Sequence, residues 1–361
     1  MITLHLDEQL GWRGGEQQAS YLIRGLAARG HMALVAGRPQ GKFLYADHGC
    51  EDLVRIAAPF RGELDLFSAY RIAQAVKHHR VDIIHAHTSH THTTACLARA
   101  IARRGKVVVS RRVDFVPKRN AFNRFKYSWP DHIIAISGRI GQVLSEFGAP
   151  TEKLSVVHSC IDAGRFDVAP ISRADLDVPE DAPLLGNVAA LVGHKDHRTL
   201  ISAMPRVLER IPRLRLVIVG EGELRARLEA QITSLGLGSS VRLLGFRDDV
   251  PRILRALDVF VLSSKLEGLG TSVLDAMAAG VPVVATAGGG IPEMVTHEKT
   301  GLLCPVQDSG ALAEQIIRAF EESALTAALA RNAADLVQER FTTDKMVEGN
   351  LRVYERILAR S

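Results

Sequence analysis

The chain has no apolar run approaching the ~18 residues a membrane-spanning helix needs, so no bilayer-crossing segment is expected. Its opening residues, MITLHLDEQL, lack a basic region followed by an apolar core, so no secretory leader is expected either. The four cysteines, Cys50, Cys96, Cys160 and Cys304, lie far apart and match no metal-ligand spacing. They read as small buried hydrophobes in a reducing compartment, which points to a cytoplasmic protein. The glycine loop GWRGGEQQ is not the G-x-G-x-x-G dinucleotide fingerprint. Four histidines, His85, His87, His90 and His92, crowd one stretch, but no Asp or Glu lies between residues 83 and 113 to complete a metal site. No metal and no cofactor are therefore expected.

What the chain does have is size and alternation. Its 361 residues suffice for two domains, and 47% hydrophobic with 24% charged residues is ordinary for a soluble protein. Residues 1–160 hold 22 basic and 13 acidic residues, a balance of +9, while residues 161–361 come to −4. The basic half suggests an anionic partner: phosphate, nucleic acid or a membrane surface. Short apolar runs (ITLHL, MALVAG, VDIIHAH, KVVVS, DHIIAIS, KLSVVHS) alternate with helical patterns, as in a parallel sheet covered on both faces. After the polar, proline-containing stretch 161–183 the alternation restarts with LLGNVAAL, LRLVIVGEG, SVRLLGF, VFVLSS, VPVVAT and GLLCP. The expected architecture is α/β: two Rossmann-like, doubly wound parallel-sheet domains facing across a cleft. The expected bounds are 1–165 and 166–341, with a helix over 342–361 packing back on the first domain. In such sheets ligands sit at the carboxyl ends of strands.

The stretch KLEGLGTSVLDAMAAGVPVVAT, Lys265 to Thr286, leaves such a strand end. Gly268 and Gly270 allow backbone to approach a ligand. Thr271 or Ser272 is placed to cap the helix, whose first N–H groups favour a phosphate. Glu267 sits on the loop and Asp275 near the first turn. Carboxylates repel phosphate but accept hydrogen bonds from sugar hydroxyls, so the two acids suit sugars flanking a diphosphate. A merely capped helix remains open on spacing alone.

The same stretch resembles the nucleotide-sugar motif of the family 4 glycosyltransferases. Glu267 is followed by seven residues and Asp275, then AAGVPVVAT, the glycines 288–290, IPEMV and GLLCPVQD. RGGEQQ, IIHAH, HIIAIS, SCIDAGRF, LVIVGEG and YERIL extend the resemblance more weakly. It implies a two-domain GT-B enzyme that transfers a sugar from a nucleoside diphosphate with retention and without metal. Glu267 would contact the transferred sugar and Asp275, a Glu in the family, the ribose. Gly268, Leu269, Gly270, Thr271 and Ser272 would meet the diphosphate and sugar through backbone N–H groups. Lys195 would neutralise the diphosphate. The family's preceding Arg is absent at Ala189-Ala190-Leu191, leaving His194, His197 or Arg198 as possible substitutes. Gly14 and Gly15 match the family's glycine pair, and His87 its histidine at the anomeric carbon. Residues 243–251, Phe246 among them, are expected at the base.

Residues 99–126 hold ten basic residues against Asp114, with Phe115, Phe122, Phe125, Tyr127 and Trp129 interleaved or just beyond. Arg111 and Arg112, after KVVVS, are expected to hold an anionic acceptor, and the rest to suit an anionic lipid surface on the inner face of the cytoplasmic membrane. The acceptor would then be a glycan or lipid-linked glycan of cell-envelope polysaccharide or lipopolysaccharide synthesis. Two other readings stand beside this one: a nucleotide-sugar epimerase on the same fold, and a basic nucleic-acid binder.

Overall fold

A computed structural model describes residues 1–360. The chain divides into two compact units, Met1–Cys160 with the segment from Thr343 onward, and Ile161–Thr342. The first boundary falls five residues before the expected 165/166. The turn Ala163–Phe166 carries a buried Phe166 and packs against helices of the second unit, Val250–Ala256 and Thr271–Ala278.

Among the described residues the first unit holds a seven-stranded parallel sheet. Its strands are β1 (Ile2–Leu6), β2 (Met32–Gly37), β3 (Val54–Ala57), β4 (Ile83–Ala86), β5 (Lys106–Arg111), β6 (His132–Ala135) and β7 (Leu154–Val156). Their order is β3-β2-β1-β4-β5-β6-β7. The apolar residues of β4 are wholly buried, as are Leu4 and Leu6 of β1, because helices cover both faces of the sheet. The strand β3 is not evident in the sequence: VRIA is short and half-exposed. The amphipathic helices Ala121–Ser128 and Gly138–Phe147 are likewise additions to the sequence reading.

The C-terminal helix Thr343–Ala359 belongs to this unit. It buries Val347, Val353, Tyr354 and Ile357 against Tyr21, Leu22 and Leu26. Close contact depends on Gly25, where a Cβ would lie 2.3 Å from Val347 Cγ2.

The second unit has β8 (Leu184–Val188), β9 (Arg215–Val219), β10 (Val241–Gly245), β11 (Val259–Leu262), β12 (Val283–Thr286) and β13 (Leu302–Cys304), all parallel, ordered β10-β9-β8-β11-β12-β13. Its core joins β8, β9, β11 and β12 to the helices His197–Arg210 and Ser309–Glu321. Each sheet reverses its winding once, between β1 and β4 and between β8 and β11. Such reversals open a crevice at the carboxyl ends of the two strands, the usual ligand position in this architecture. No helix among the described residues is long and apolar enough to cross a membrane.

Candidate active site

At the switch point of the second unit, the loops leaving β8 and β11 are tied together. Lys265 N donates to His194 O at 2.8 Å, and Ser263 Oγ donates to the carbonyls of Lys195 and Asp196 at 3.1 Å each. Asp196 takes a left-handed conformation, φ 48°, which turns the chain into the helix His197–Arg210. The result places Lys195 Nζ 2.5 Å from Glu267 Oε1, which also accepts from Ser264 Oγ at 2.7 Å. Glu267 is buried, 7% exposed. The sequence placed it on the loop; the structure adds a lysine and a serine as its partners. A cation and a carboxylate thus stand together, the lysine suited to phosphate and the acid to hydroxyls.

The expected cap on the following helix is corrected. Neither the Thr271 nor the Ser272 side chain caps Thr271–Ala278; the N-cap is Gly270, at φ +90°, with no side-chain bond. A Cβ there would also meet Ile291 Cδ1 at 2.5 Å, so both conformation and space require glycine. The helix start offers bare N–H groups, as an anion site does. Gly268 lies on the same loop, Leu269 is buried beneath it, and Gly290 N donates to Glu267 O at 2.9 Å. Asp275 falls in the second turn rather than the first. The residue is half-buried, its Oδ1 is enclosed with no hydrogen-bond partner, and desolvation raises its pKa to about 6 against the opposing pull of Arg165. An enclosed carboxylate oxygen with no donor is costly unless a ligand hydroxyl supplies one.

His197 does not replace the missing arginine. It is buried against Asn187, 3.1 Å away, and burial lowers its pKa to about 4, so it is neutral at pH 7. Arg198 is solvent-exposed on the helix. Phe246 follows β10 and is 75% exposed, two strands from the switch point.

At the switch point of the first unit, β1 and β4 pair His5 with His85 in register, and His87 follows on the same side. His5 Nδ1 lies 3.0 Å from His87 Nε2, and His5 Nε2 lies 3.1 Å from Thr3 Oγ1. Arg112 approaches His87 Nδ1 at 3.3 Å. A guanidinium only donates, so His87 Nδ1 accepts and its Nε2 carries the proton. His5 Nδ1 then accepts, and His5 Nε2–H donates to Thr3. One arginine therefore sets both tautomers. Burial drives the His87 and His85 pKa values well below the ordinary histidine range and that of His5 to about 3, so all three rings are neutral. His85, absent from the expected site, bridges Tyr354 Oη at 2.5 Å and Ser110 Oγ at 2.8 Å.

The nitrogens of His5, His85 and His87 lie within 4.8 Å of one another, a spacing also compatible with a metal ion. Every one of their ring nitrogens has a hydrogen-bond partner and Arg112 stands beside them, so hydrogen bonding accounts for the cluster.

Gly14 and Gly15 begin the helix Gly14–Ala27 rather than forming a loop, and a Cβ on Gly15 would touch Arg112 Cδ at 3.6 Å. Arg111 and Arg112, expected at the acceptor, each have one partner within the first unit and an Nε with none. Arg111 donates to Phe115 O at 2.6 Å and lies over Tyr127, and Arg112 is engaged with His87. Sequence reasoning missed Asp7 and Glu8, which leave β1 at the switch point and are both buried. Their place immediately after ITLHL was the available signal.

Each unit thus presents charged or polar side chains at the switch point of its sheet. Two family models match: one described as "Glycosyl transferases group 1" matches residues 168–336, and one described as "Glycosyltransferase Family 4" matches residues 12–165. The chain is 30% identical over 250 residues to a lipopolysaccharide core biosynthesis glycosyltransferase, LpsE, of Rhizobium meliloti, covering 69% of this chain and 70% of that one. It is 27% identical over 305 residues to the N-acetyl-alpha-D-glucosaminyl L-malate synthase of Bacillus anthracis, covering 81% and 80%. A crystal structure of Anabaena HepE in complex with UDP and glucose matches with a TM-score of 0.85 and 26% identity, over 99% of this chain and 100% of that one. The chain belongs to the family 4 glycosyltransferases, and it is a glycosyltransferase of the GT-B fold class.

Proposed function

We propose that the enzyme transfers a hexosyl group, with retention of anomeric configuration, from a nucleoside-diphosphate sugar to a glycan or lipid-linked acceptor in cell-envelope polysaccharide synthesis. The observation that carries this is the Lys195–Glu267 pair beside a helix start with uncapped N–H groups. Lys195 and the backbone from Gly268 to Ser272 meet the diphosphate, Glu267 the sugar hydroxyls, and Asp275 the ribose. In the transfer the bond from the anomeric carbon to the diphosphate oxygen breaks. The acceptor oxygen bonds to that carbon on the same face, and its proton passes to a phosphate oxygen of the leaving group. Lys195 stabilises the charge that develops there. His87 serves the sugar at the anomeric carbon by giving up its Arg112 contact. The reaction draws on no metal and no cofactor. HepE with UDP and glucose supports the donor class, and LpsE supports the envelope setting.

The first unit docks on an anionic membrane surface. Phe115, Val116, Phe122 and Phe125 are exposed among Lys118, Arg119 and Arg124. Leu64, Leu66, Phe67 and Tyr70 are exposed on the neighbouring segment, joined to the first by the Lys126–Glu63 ion pair at 2.7 Å. Lys126 itself is buried and Tyr127 packed inside, so neither faces lipid. The test of the chemistry is a panel of nucleotide sugars incubated with and without lipid extract. Acceptor-dependent release of nucleoside diphosphate, with an α-linked product from an α-linked donor, supports the reading; an inverted product removes retention, and release independent of acceptor removes transfer.

A further inference from the structure

We propose that the first unit carries an acceptor subsite for a hydroxylated anion, a sugar acid or a sugar phosphate, in a cavity beside the switch point. The inference rests on the glycosyl-transfer reading and names the acceptor's chemistry. The cavity is about 360 Å³ and is lined by Glu8, Arg13, Glu16, Arg38 and His90, together with residues 9–11. That volume lies in the range of small-molecule sites. It opens where β1 and β2 end, because Glu8 follows one strand and Arg38 the other.

The lining is built and unevenly satisfied. Glu8 is 3% exposed and already accepts from Gln9 Nε2 at 2.9 Å, His90 Nδ1 at 3.2 Å and the Thr88 hydroxyl. Glu16 is 4% exposed, and its Oε2 accepts the Arg13 backbone N–H at 2.6 Å. The donors are less committed. Arg38 gives one N–H to Phe60 O at 2.8 Å, and its Nε is buried with no partner. Arg13 is exposed and forms no ion pair among the described residues. Arg13 and Arg38 are the two guanidiniums that line the cavity.

Spare donors therefore exceed spare acceptors, which calls for an anionic group that a guanidinium meets with two parallel bonds. A bare anion would face Glu8 and Glu16 with nothing to offer them. A neutral sugar would leave both arginines unmatched. A ligand with hydroxyls and one anionic group satisfies both sets.

The experiment uses the whole chain and ligand-observed NMR or calorimetry. The probes are methyl glucuronide, glucose 6-phosphate, methyl glucoside and inorganic phosphate. One charged sugar should bind at least tenfold more tightly than both methyl glucoside and inorganic phosphate. Which of the two binds separates a carboxylate acceptor from a phosphorylated one. Arg38→Gln and Arg13→Gln should each weaken that binding at least tenfold. Arg13 is exposed, so its variant decides the matter if Arg38→Gln does not fold. Equal binding of the glucoside, no binding of either charged sugar, or variants that bind like the wild type would overturn the proposal. UDP titrated into the wild-type protein in parallel separates the two levels: its failure to bind counts against the nucleotide-sugar reading, not against the cavity.

Discussion

Asp275→Asn should raise stability and remove a pH dependence of donor binding at the same time. In the free protein Asp275 is half-buried, its enclosed Oδ1 lacks a donor, and its pKa is raised from 3.8 to about 6. Between those two values the native state holds more protons at this site than the unfolded chain. Stability therefore falls as pH rises through that window and stays lower above it. A rise of about two pH units, at roughly 1.4 kcal/mol for each, costs about 3 kcal/mol at pH 7. The asparagine amide, itself imperfectly paired, gives back roughly 1 kcal/mol of this. The variant should thus be more stable than the wild type by about 2 kcal/mol at pH 7, and should lose that advantage near pH 4.

Binding runs the other way. A ribose hydroxyl would supply the missing donor, and the ionised carboxylate accepts it best. At pH 5 only about a tenth of a group with a pKa near 6 is ionised, so wild-type affinity should fall about tenfold between pH 7 and pH 5. The variant should bind more weakly at pH 7 and show no such slope. The assays are denaturant unfolding at pH 4 and 7, and calorimetric titration of uridine diphosphate glucose at pH 5, 6 and 7. A wild-type affinity independent of pH, or the same slope in the variant, would refute the reasoning.

Other outcomes follow from the same geometry. Glu267→Ala should reduce transfer by 10²–10³-fold, about 3–4 kcal/mol of transition-state binding; because Glu267 is also buried with Lys195 and Ser264, a thermal midpoint measured alongside shows whether folding is intact, and an unchanged rate would remove the sugar contact. Tyr354→Phe leaves His85 Nδ1 without its 2.5 Å partner and should cost roughly 1–3 kcal/mol in unfolding free energy, with an unchanged midpoint counting against the buried bond. Lys118, Arg119 and Arg124 changed together to Ser should abolish flotation with anionic vesicles at low salt; equal wild-type binding to neutral vesicles would reject the membrane surface.

Much of this was legible in the chain. Strand–helix alternation gives two parallel sheets, because strands buried on both faces read as continuous apolar runs. The spacing from Glu267 to Asp275 places both acids after β11. The burial of Glu267 and the unpartnered Oδ1 of Asp275 were not legible. Glu267 meets Lys195 because Ser263 and Lys265 bond the two loops across 67 or more residues of sequence, which no local pattern records. Arg111 and Arg112 carry the same charge in sequence whether they face a ligand or a carbonyl. Their capture by Phe115 and His87 is a tertiary fact, as is the removal of Lys126 from the basic surface by Glu63. The histidine chain was half visible: His85 and His87 share a face by strand periodicity, but His5 joins them only through the pairing of β1 with β4.

The proposed nucleotide site depends most on Lys195 as the cation that would meet the phosphates. The direct measurement is calorimetric affinity for uridine diphosphate in the wild type and in Lys195→Ala, at low and at ~0.5 M salt. A lost charge-assisted bond of about 1.5–3 kcal/mol predicts roughly 10–100-fold weaker binding and a shallower salt dependence in the variant. Equal affinity and an equal salt slope in the two proteins would contradict the assignment of the nucleotide to this switch point.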